Sequence, residues 1–387
     1  MGNLRPVLLM GMVFLAYLLW VEWQKDYGTQ PAAPVAQPAS QTSAEGIPTV
    51  PVAPADDLPV PGQEGLPASA VDQAGVPSLD TPDPAVRQPV ITVTTDVLAL
   101  EIDPVGGTLV SSRLLNYPVE LDNPDVSVSL LTRQGSELFI AQSGLLSRQS
   151  APNHTTPYTS SSMNYQLSEG AEELVVPLSW ASEDGVNVTK TLVFKRGSYE
   201  IDVRHTVQNN SGQPWSGSRY AQLQKAVAVD EEGSSFTNPG SYSFRGIGFY
   251  NPEDKFEKVD FDDVADGPYQ KATESGWLAM IQHYFFAAWI PPADEISTYS
   301  TERLAGSPGW PRYIAREVSP IRQVANGSTM EFTGRLYLGP KLQDELEGIA
   351  PGLEYTVNYG IFTVFSKPLF WLLDKIHNVV GNWGWAI

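Results

Sequence analysis

The chain has 387 residues, and its 44 acidic side chains against 24 basic ones give a formal net charge of −20. Such an excess of negative charge repels a phosphate backbone, so nucleic acid is not expected to be a partner. The sequence contains no cysteine, which excludes disulfides, thiolate metal sites and cysteine nucleophiles.

The first predicted element is an uncharged apolar run, PVLLMGMVFLAYLLW, at positions 6–20. A helix that continues from it to about residue 24 would span roughly 27 Å, which is close to the thickness of a bilayer core. The small residues of a signal-peptidase site do not follow, because the sequence goes on with VEWQKDYG. We therefore predict an uncleaved transmembrane signal anchor over residues 6–24, and a cleavable signal peptide is the alternative.

The charges around this anchor predict its orientation. Arg5 lies before the apolar run, so residues 1–5 are expected to stay in the cytoplasm and the chain after the anchor to be exported. Trp20 and Trp23 stand at the outer end, where aromatic side chains suit the membrane interface.

The composition of residues 25–88 differs from that of the rest of the chain. The segment is rich in proline, alanine, glutamine and serine, and no aromatic residue occurs between Tyr27 and Tyr117. A segment with so little apolar bulk cannot offset the entropy cost of ordering itself. We predict a disordered, partly extended tether here.

Residues 89–340 are dominated by strand patterns separated by Gly, Pro, Asn and Asp. VITVTTDVLALEID alternates apolar and polar side chains, and VNVTKTLVFKRGSYEIDVRHTVQN predicts a hairpin that turns at Gly197. GWLAMIQHYFFAAWIPP, from Gly276 to Pro292, is apolar at both parities, as a central strand covered on both faces would be. No convincing helical period appears in this region. The sequence predicts a mainly β fold, a large antiparallel β-sandwich.

The period changes to that of a helix after Pro340. KLQDELEGIAPG has apolar residues at helical spacing followed by a Pro-Gly stop, so a helix and connector are predicted over 341–358. The candidate partner-facing residues of this helix are Leu342, Glu345, Leu346 and Ile349.

A second helix is predicted over 359–380, with an apolar arc on one side and polar side chains on the other. This is the pattern of an amphipathic helix at a membrane surface, and a helix packed against the sandwich is the alternative. Residues 381–387 gain no charge and are expected to begin a second membrane span. The candidate membrane-interface residues are Trp20, Trp23, Phe365, Leu369, Phe370, Trp371, Leu372, Leu373, Ile376, Val380, Trp383 and Trp385.

Motifs for catalysis and metal binding are weak. The sequence has neither a G-x-S-x-G elbow nor an H-E-x-x-H motif, and its four histidines are far apart, so no catalytic residue and no metal site are predicted. His205 and His283 both fall within apolar patterns and are interpreted as buried core histidines. The acidic stretch DFDDVADG, at 260–267, lacks the spacing of a calcium loop and is interpreted as a solvated turn.

Five blocks of this sequence resemble the Gram-negative members of the Oxa/Alb/YidC family of membrane protein insertases. The blocks are WVEWQKD after the anchor, TDVLALEIDPVGGTLVSSRLLNYPVEL from Thr95, FRGIGFYNPEDKFEKVDFDDVAD from Phe244, GWLAMIQHYFFAAWIP from Gly276, and the stretch from Leu338 to Trp385. The resemblance implies a periplasmic β-supersandwich, similar to that of sugar mutarotases, anchored in the bacterial inner membrane. Residues 25–380 would then lie on the periplasmic side.

The resemblance also implies a function that needs no cofactor and no enzymatic activity. Proteins of this family help to insert, fold and assemble inner-membrane proteins, alone or with the Sec translocon. The implied partners are the lipid bilayer, nascent inner-membrane proteins, SecYEG and SecDF. The family's hydrophilic-groove core has no counterpart in this chain and is expected to follow it. A membrane-anchored periplasmic sugar-binding or mutarotase-like protein is the alternative, and a mutarotase would need an acid and a base that converge in a cleft.

Overall fold

The computed structural model describes residues 89–120, 122–228, 244–307 and 310–357, together with Leu372, Leu373, Lys375, Ile376, Val380 and Gly381. The chain divides into two units, residues 1–64 and 65–387, and everything described below belongs to the second. The predicted anchor at 6–24 and the predicted tether at 25–88 lie outside the described residues.

The described residues between Ile91 and Pro340 are mostly in β-strands. The strands are β1 (Ile91–Thr94), β2 (Leu98–Asp103), β3 (Thr108–Glu120), β4 (Asn123–Leu131), β5 (Phe139–Ser147), β6 (Thr159–Ser160), β7 (Asn164–Gln166), β8 (Glu173–Ala181), β9 (Val186–Lys195), β10 (Glu200–Asn209), β11 (Trp215–Ala226), β12 (Gly246–Asn251), β13 (Lys255–Val259), β14 (Gln270–Glu274), β15 (Trp277–Ile281), β16 (Phe285–Ile290), β17 (Ile296–Ser307), β18 (Trp310–Val318), β19 (Arg322–Val324) and β20 (Ser328–Pro340).

These strands form two large sheets. The larger sheet has eleven strands in the order β14-β17-β18-β11-β5-β3-β2-β1-β7, with β19 beside β11 and β4 beside β3. The smaller sheet has nine strands in the order β13-β12-β15-β16-β20-β10-β9-β8-β6. Strand pairing is antiparallel apart from the short parallel pair β1 and β7. The predicted mainly β supersandwich of antiparallel sheets is therefore confirmed.

The predicted hairpin around Gly197 is confirmed by β9 and β10. Gly197 has a φ of +69°, in the left-handed region that glycine adopts without strain. Ile201, Val203 and Val207 of β10 are buried on one face, as the alternation predicts.

The apolar run from Gly276 to Pro292 is two strands rather than the one that we predicted. β15 and β16 pair antiparallel, with Leu278 opposite Trp289, and the chain turns at residues 282–284. The prediction of burial on both faces is correct for most positions of the two strands. The turn was missed because its residues, Gln-His-Tyr, include no Gly, Pro, Asn or Asp.

Within residues 89–357, α1 (Phe261–Asp266) lies between β13 and β14, α2 (Gln343–Ile349) follows β20, and 3₁₀ turns occupy Gly135–Glu137 and Leu353–Thr356. The interpretation of the acidic stretch at 260–267 as a turn is wrong, because most of it forms α1. The carboxylate of Asp263 accepts the N–H of Asp260 at the start of this helix, and Val264 is buried in the core. Acidic residues in a first helical turn also complement the helix dipole.

The space between the sheets holds two apolar clusters with a polar belt between them. On β9, Val188 belongs to the smaller cluster and Leu192 to the larger one. Lys190 lies between them. The same order recurs on three further strands, where the central residues are Ser143, His205 and Arg219. The belt residues are buried; Lys190 finds its partners in backbone carbonyls and Arg219 in the carboxylate of Glu317.

Candidate functional site

The C-terminal strap, defined here as residues 341–357, consists of α2 and the 3₁₀ turn that follows it. Leu346 and Leu353 of the strap are fully buried in the larger core cluster, and Ile349 packs against the same cluster. Burying two leucine side chains of this kind stabilises an attachment by roughly 3–6 kcal/mol before entropy costs. The strap is therefore part of the β body and not a loose connector.

Two side chains of the smaller sheet bind backbone carbonyls of the strap. Arg335 donates from Nη2 to the carbonyl of Ile349 at 2.9 Å, while its Nη1 lies 2.6 Å from a carboxylate oxygen of Glu200. Trp277 donates from Nε1 to the carbonyl of Pro351 at 3.0 Å. Carbonyls near a helix C-terminus lack intrahelical partners, so these donors fix the end of α2.

Gly352 is the point at which the strap turns over an aromatic pair. Its φ of +77° is in the left-handed region, and a Cβ at this position would lie 2.1 Å from a ring carbon of Tyr250. Tyr250 in turn stacks on Trp277, with ring centroids 5.7 Å apart and an interplanar angle of 8°. Only a residue without a side chain fits this turn, because both the backbone conformation and the ring exclude a Cβ.

The four predicted partner-facing residues of α2 do not share one surface. Leu346 is buried and Ile349 half-buried against the sandwich, so the prediction that they face a partner is wrong for Leu346, because core burial occupies its side chain. Leu342 is 37% exposed and Glu345 is exposed. The surface that α2 leaves available therefore includes these two residues.

Glu345 also lies close to a group of tyrosines. Burial raises the pKa of Tyr117, and the carboxylate of Glu345 raises it further. Burial likewise raises the pKa of Tyr337, again with Glu345 as the next cause, and the hydroxyl of Tyr337 donates to the carbonyl of Pro340 at 2.7 Å. Tyr199 completes the group, with ring centroids 6.3 Å from Tyr117 and 6.5 Å from Tyr337. These rings therefore lie close to the first turn of α2.

A cleft of about 550 Å³ opens beside the strap on the outer face of the smaller sheet. Asp202, Arg204 and Glu331 line it from the strands, and Pro291 and Pro351 line it from the loops. Arg204 and Asp202 lie 3.7 Å apart as an ion pair. The size would admit a small ligand, and the lining residues include carboxylates but no histidine.

The histidines are distributed differently from the prediction. His205 is fully buried as expected, and burial lowers its pKa well below the ordinary value, with Lys190 and Arg219 adding to the effect. His283 is not a core residue, because it lies in the turn between β15 and β16 and is only half-buried. His154 is buried and hydrogen-bonded through Nδ1 to the hydroxyl of Tyr220.

The predicted membrane-interface residues lie largely outside the described part of the chain. Leu372, Leu373, Ile376 and Val380 are described and helical; Leu372 and Val380 are exposed. The other predicted interface residues, Trp20, Trp23, Phe365, Leu369, Phe370, Trp371, Trp383 and Trp385, are not among the described residues.

A search of the described residues finds no helix long and apolar enough to cross a membrane. The same residues contain no group of three or more His, Asp or Glu side chains that could hold a metal ion.

Comparison with known families gives a match over most of the chain. The family described as the YidC periplasmic domain matches residues 90–372, which include all the strands and the strap. The membrane protein insertase YidC of Thioalkalivibrio sulfidiphilus is 41% identical over 396 residues, covering 100% of this chain. This chain belongs to the YidC family. As a member, it is a membrane protein with a periplasmic domain.

Other YidC relatives match in the same way. The membrane protein insertase YidC of Methylococcus capsulatus is 42% identical, covering 100% of this chain and 66% of its own length. The membrane protein insertase YidC of Nitrosococcus oceani is 38% identical, covering 100% of this chain and 67% of its own length. The chain thus spans about two thirds of the length of the curated YidC relatives it matches.

Solved structures give weaker likenesses to this YidC-family chain. A galactose mutarotase-like protein from Lactobacillus casei has a TM-score of 0.42 and 10% identity, covering 64% of this chain and 99% of that one. A galactose mutarotase related enzyme from Lactobacillus acidophilus has a TM-score of 0.40 and 8% identity, covering 64% of this chain and 97% of that one. Likenesses at this level say nothing about what this YidC-family chain binds.

Sequence reasoning missed the residues that hold the strap. Tyr250, Trp277 and Arg335 lie on strands far from α2 in the sequence, so no local pattern connects them to it. The Pro-Gly pair at 351–352 was a usable signal, because glycine after a helix often takes a left-handed conformation.

Proposed function

We propose that this chain provides the membrane-anchored periplasmic part of a membrane protein insertase, which helps inner-membrane proteins to insert, fold and assemble. The observation that carries the proposal is the 41% identity, over the whole chain, to a relative named as a membrane protein insertase. The proposed site of action is the bilayer of the bacterial inner membrane, with residues 25–380 on its periplasmic side.

The strap supports a coupling role for the β body in this function. Residues 341–357 are fixed to the smaller sheet by buried leucines and by Arg335 and Trp277. The segment after residue 357 leads to the predicted interfacial helix at 359–380. A client or translocon subunit that contacts Leu342 or Glu345 would therefore contact a segment that is fixed to the β body and continues along the chain toward the predicted helix.

The partners in this proposal are nascent inner-membrane proteins, with SecYEG and SecDF as translocon partners. Insertion of a hydrophobic segment into lipid is driven by burial of its apolar surface, so neither a cofactor nor bond chemistry is required. The relatives are named as insertases and not as catalysts of a covalent reaction. A sugar-binding or mutarotase-like function has less support, because no relative that matches the whole chain at this identity is named for it here, whereas these relatives are named as insertases.

Site-specific photo-crosslinking from the strap tests the proposal. A photoreactive amino acid would replace Leu342 or, separately, Glu345 in the 387-residue chain expressed in a Gram-negative host. Ser328, which is exposed at the other end of β20, provides the control position. We expect crosslinks from the strap to newly made inner-membrane proteins or to Sec subunits, and few from Ser328. Equal yields from all three positions, or crosslinks to soluble periplasmic proteins alone, would contradict the proposal.

A further inference from the structure

One end of the smaller sheet carries several basic side chains on neighbouring strands. Gly246 of β12 pairs with Ile281 of β15, and Phe285 of β16 pairs with Pro340 of β20. The residues just beyond these pairs are therefore neighbours at one edge. They are Arg245 before β12, His283 and Tyr284 in the turn between β15 and β16, and Lys341 and Leu342 after β20. Lys258 of the edge strand β13, opposite Gly248, lies at the same end.

Contacts between the backbone segments and rings position these residues. The N–H of Lys341 donates to the carbonyl of Tyr284 at 3.0 Å, and the rings of His283 and Tyr284 are 4.1 Å apart at 85°. Lys258 places its Nζ 5.2 Å from the ring centre of Phe244, directly before Arg245. We call Arg245, Lys258, His283, Tyr284, Lys341 and Leu342 the cationic end of the sheet.

Burial and repulsion between like charges both act on the cationic end. Burial, with a further contribution from Lys258, lowers the pKa of Lys341 to about 8. Burial also lowers the pKa of His283, with Arg245 and Lys341 as the other causes. Burial raises the pKa of Asp260, which follows Lys258 closely in the sequence, and the positive charge of Lys258 opposes this rise. The cations of this end lie close together without a neutralising acid for each.

The cationic end differs from the rest of this acidic protein. Many basic side chains of the described residues form ion pairs, such as Arg335 with Glu200 and Arg322 with Glu295. Within the described part of the chain, Arg245, Lys258 and Lys341 have no ion-pair partner. Other exposed cations, such as Arg148 after β5 and Arg303 on β17, also lack one there, but they belong to the larger sheet and are not part of this group. In a chain of net charge −20, unpaired cations at one edge give that edge a local affinity for anions that the rest of the surface opposes.

Exposed apolar side chains accompany the cations. Tyr284 is 68% exposed at the tip of its turn, and Leu342 is 37% exposed at the start of the strap. An amphipathic aromatic residue beside lysine and arginine suits the boundary between lipid headgroups and acyl chains. The strap begins at this end of the sheet and crosses it, since its Pro351 binds Trp277 at the opposite end of β15. The chain continues from there toward the predicted interfacial helix at 359–380, so the cationic end and the departing chain mark the two ends of these strands.

We propose that the cationic end of the smaller sheet docks on the anionic phospholipid headgroups of the bilayer, as a second membrane contact of the periplasmic domain. Arg245, Lys258 and Lys341 bind headgroup phosphates, and Tyr284 and Leu342 enter the interface. Because the rest of the surface is acidic and is repelled by anionic lipid, this contact sets the orientation of the β body on the membrane. The inference rests on the proposed function, in which the chain is anchored in a bilayer.

The absence of cysteine in the sequence makes a site-specific test clean. A fluorophore is attached to the Tyr284→Cys variant of the 387-residue chain in proteoliposomes that contain lipids with a nitroxide quencher at the headgroup. The Ser328→Cys variant is the control, because β20 spans thirteen residues between Ser328 and Pro340, or about 40 Å. Vesicles of phosphatidylcholine alone are compared with vesicles that also contain phosphatidylglycerol.

We expect strong quenching of the label at position 284 in phosphatidylglycerol vesicles, weak quenching in phosphatidylcholine, and little at position 328 in either. Arg245→Ser with Lys258→Ser should weaken the contact roughly tenfold or more. The matched pair Arg148→Ser with Arg303→Ser also removes two exposed cations and should leave the quenching unchanged. Inorganic phosphate should compete no better than sodium chloride at equal ionic strength, since a bilayer surface and not a free anion is the ligand.

The inference is overturned if the label at 284 is quenched no more than the label at 328, or equally in both lipids. A partner that is an acidic protein would give that result. Flotation of the chain with the vesicles is measured in parallel. A chain that floats without quenching at 284 contradicts the docking alone, whereas a chain that does not float contradicts the membrane-anchored function as well. Circular dichroism of each variant verifies that it is folded.

Discussion

The guanidinium of Arg219 binds the carboxylate of Glu317 through two contacts inside the sandwich, Nη2 to Oε1 at 3.0 Å and Nη1 to Oε2 at 2.9 Å. Both side chains are almost completely buried, and Ser297 donates a further hydrogen bond to Oε1 of Glu317 at 2.6 Å. Glu295 lies 3.8 Å from the same guanidinium. A Cβ added at Gly334 of the smaller sheet would lie 3.1 Å from Nη1 of Arg219, so this guanidinium packs against Gly334. The pair thus lies buried between two neighbouring strands of the larger sheet, and Arg219 alone reaches the smaller sheet, at Gly334.

Removal of one partner of this pair should be strongly destabilising. We expect Glu317→Gln to lower the free energy of unfolding by about 3 kcal/mol, because Arg219 would stay buried without its main counter-charge. Urea unfolding of the fragment 89–357, followed by tryptophan fluorescence, measures this value. Asp202→Asn, which removes the carboxylate shared by the solvent-accessible Lys195 and Arg204, is the control and should cost less than about 1 kcal/mol. Equal effects of the two substitutions would mean that the buried pair contributes no more than a surface pair.

The fragment 89–357 itself is expected to fold as a soluble, mainly β monomer, since it contains the described strands together with the strap. A shorter fragment that ends at residue 340 lacks Leu346 and Leu353, which are buried in the core. We expect it to unfold at a lower urea concentration or to aggregate, because removal of the strap exposes apolar surface. Circular dichroism and size-exclusion chromatography measure both properties. Indistinguishable fragments would show that the strap does not contribute to the stability of the β body.

Substitution of Gly352 should release the strap. We expect Gly352→Ala to lower the free energy of unfolding by more than about 2 kcal/mol, because alanine disfavours the left-handed conformation and its Cβ would collide with Tyr250. Gly348→Ala is the matched control, since the space around Gly348 in α2 is open and alanine is the better helix former. The control should be neutral or slightly stabilising. Protease cleavage within the strap, compared between the two variants, verifies where the loosening occurs.

The buried Lys190 should make stability depend on pH. It donates to the carbonyls of Gly106 and Gly107, both at 2.9 Å, and burial lowers its pKa to about 7 from an ordinary 10.5. Between these values the unfolded chain binds more protons than the folded one, so the unfolding free energy rises with pH. Below pH 7 both states are protonated and the cost of burying the charge is fully present.

We therefore expect the unfolding free energy of the natural sequence, measured relative to Lys190→Met, to increase by roughly 2 kcal/mol from pH 7 to pH 9. Lys195→Met, at an exposed position, should give no such change. Urea unfolding at several pH values measures the difference. A flat difference would mean that Lys190 stays protonated throughout, held by its carbonyl partners.

The predicted interfacial helix can be tested as a peptide of residues 359–380. We expect phosphatidylglycerol vesicles to induce helical circular dichroism in the peptide. Leu373→Asp should abolish the change, because it places a charge in the apolar arc. Asn378→Asp adds the same charge to the polar side and should retain most of the binding. Equal losses for the two substitutions would indicate binding by charge alone.

Local patterns in the sequence were sufficient to predict strands, but not every turn and contact that connects them. The hairpin at Gly197 was predicted correctly because alternation and a turn residue coincide there. The turn at 282–284 carries no turn residue, and it was therefore placed inside a strand. The acidic residues that start α1 looked like a solvated turn, since a helix of this length has too little periodicity to be recognised.

The contacts that define the candidate site are long-range, which is why sequence reasoning could not find them. Arg219 and Glu317 are 98 positions apart, and Trp277 is 74 positions from Pro351. Leu346 was recognised as apolar and helical, but the same pattern fits a side chain that faces a partner and one that faces the core. The resemblance to the family supplied the fold, while the attachment of the strap required the coordinates.

The attachment of the strap has a mechanical consequence. A force applied to the chain beyond Val357 would reach Leu353, Leu346 and the Trp277 hydrogen bond before any strand could separate. The chain up to Val357 is therefore held against the sandwich, and a torque applied there would act on the whole β body. A rotation imposed at Val357 would be passed to the sheets through the buried leucines and Trp277.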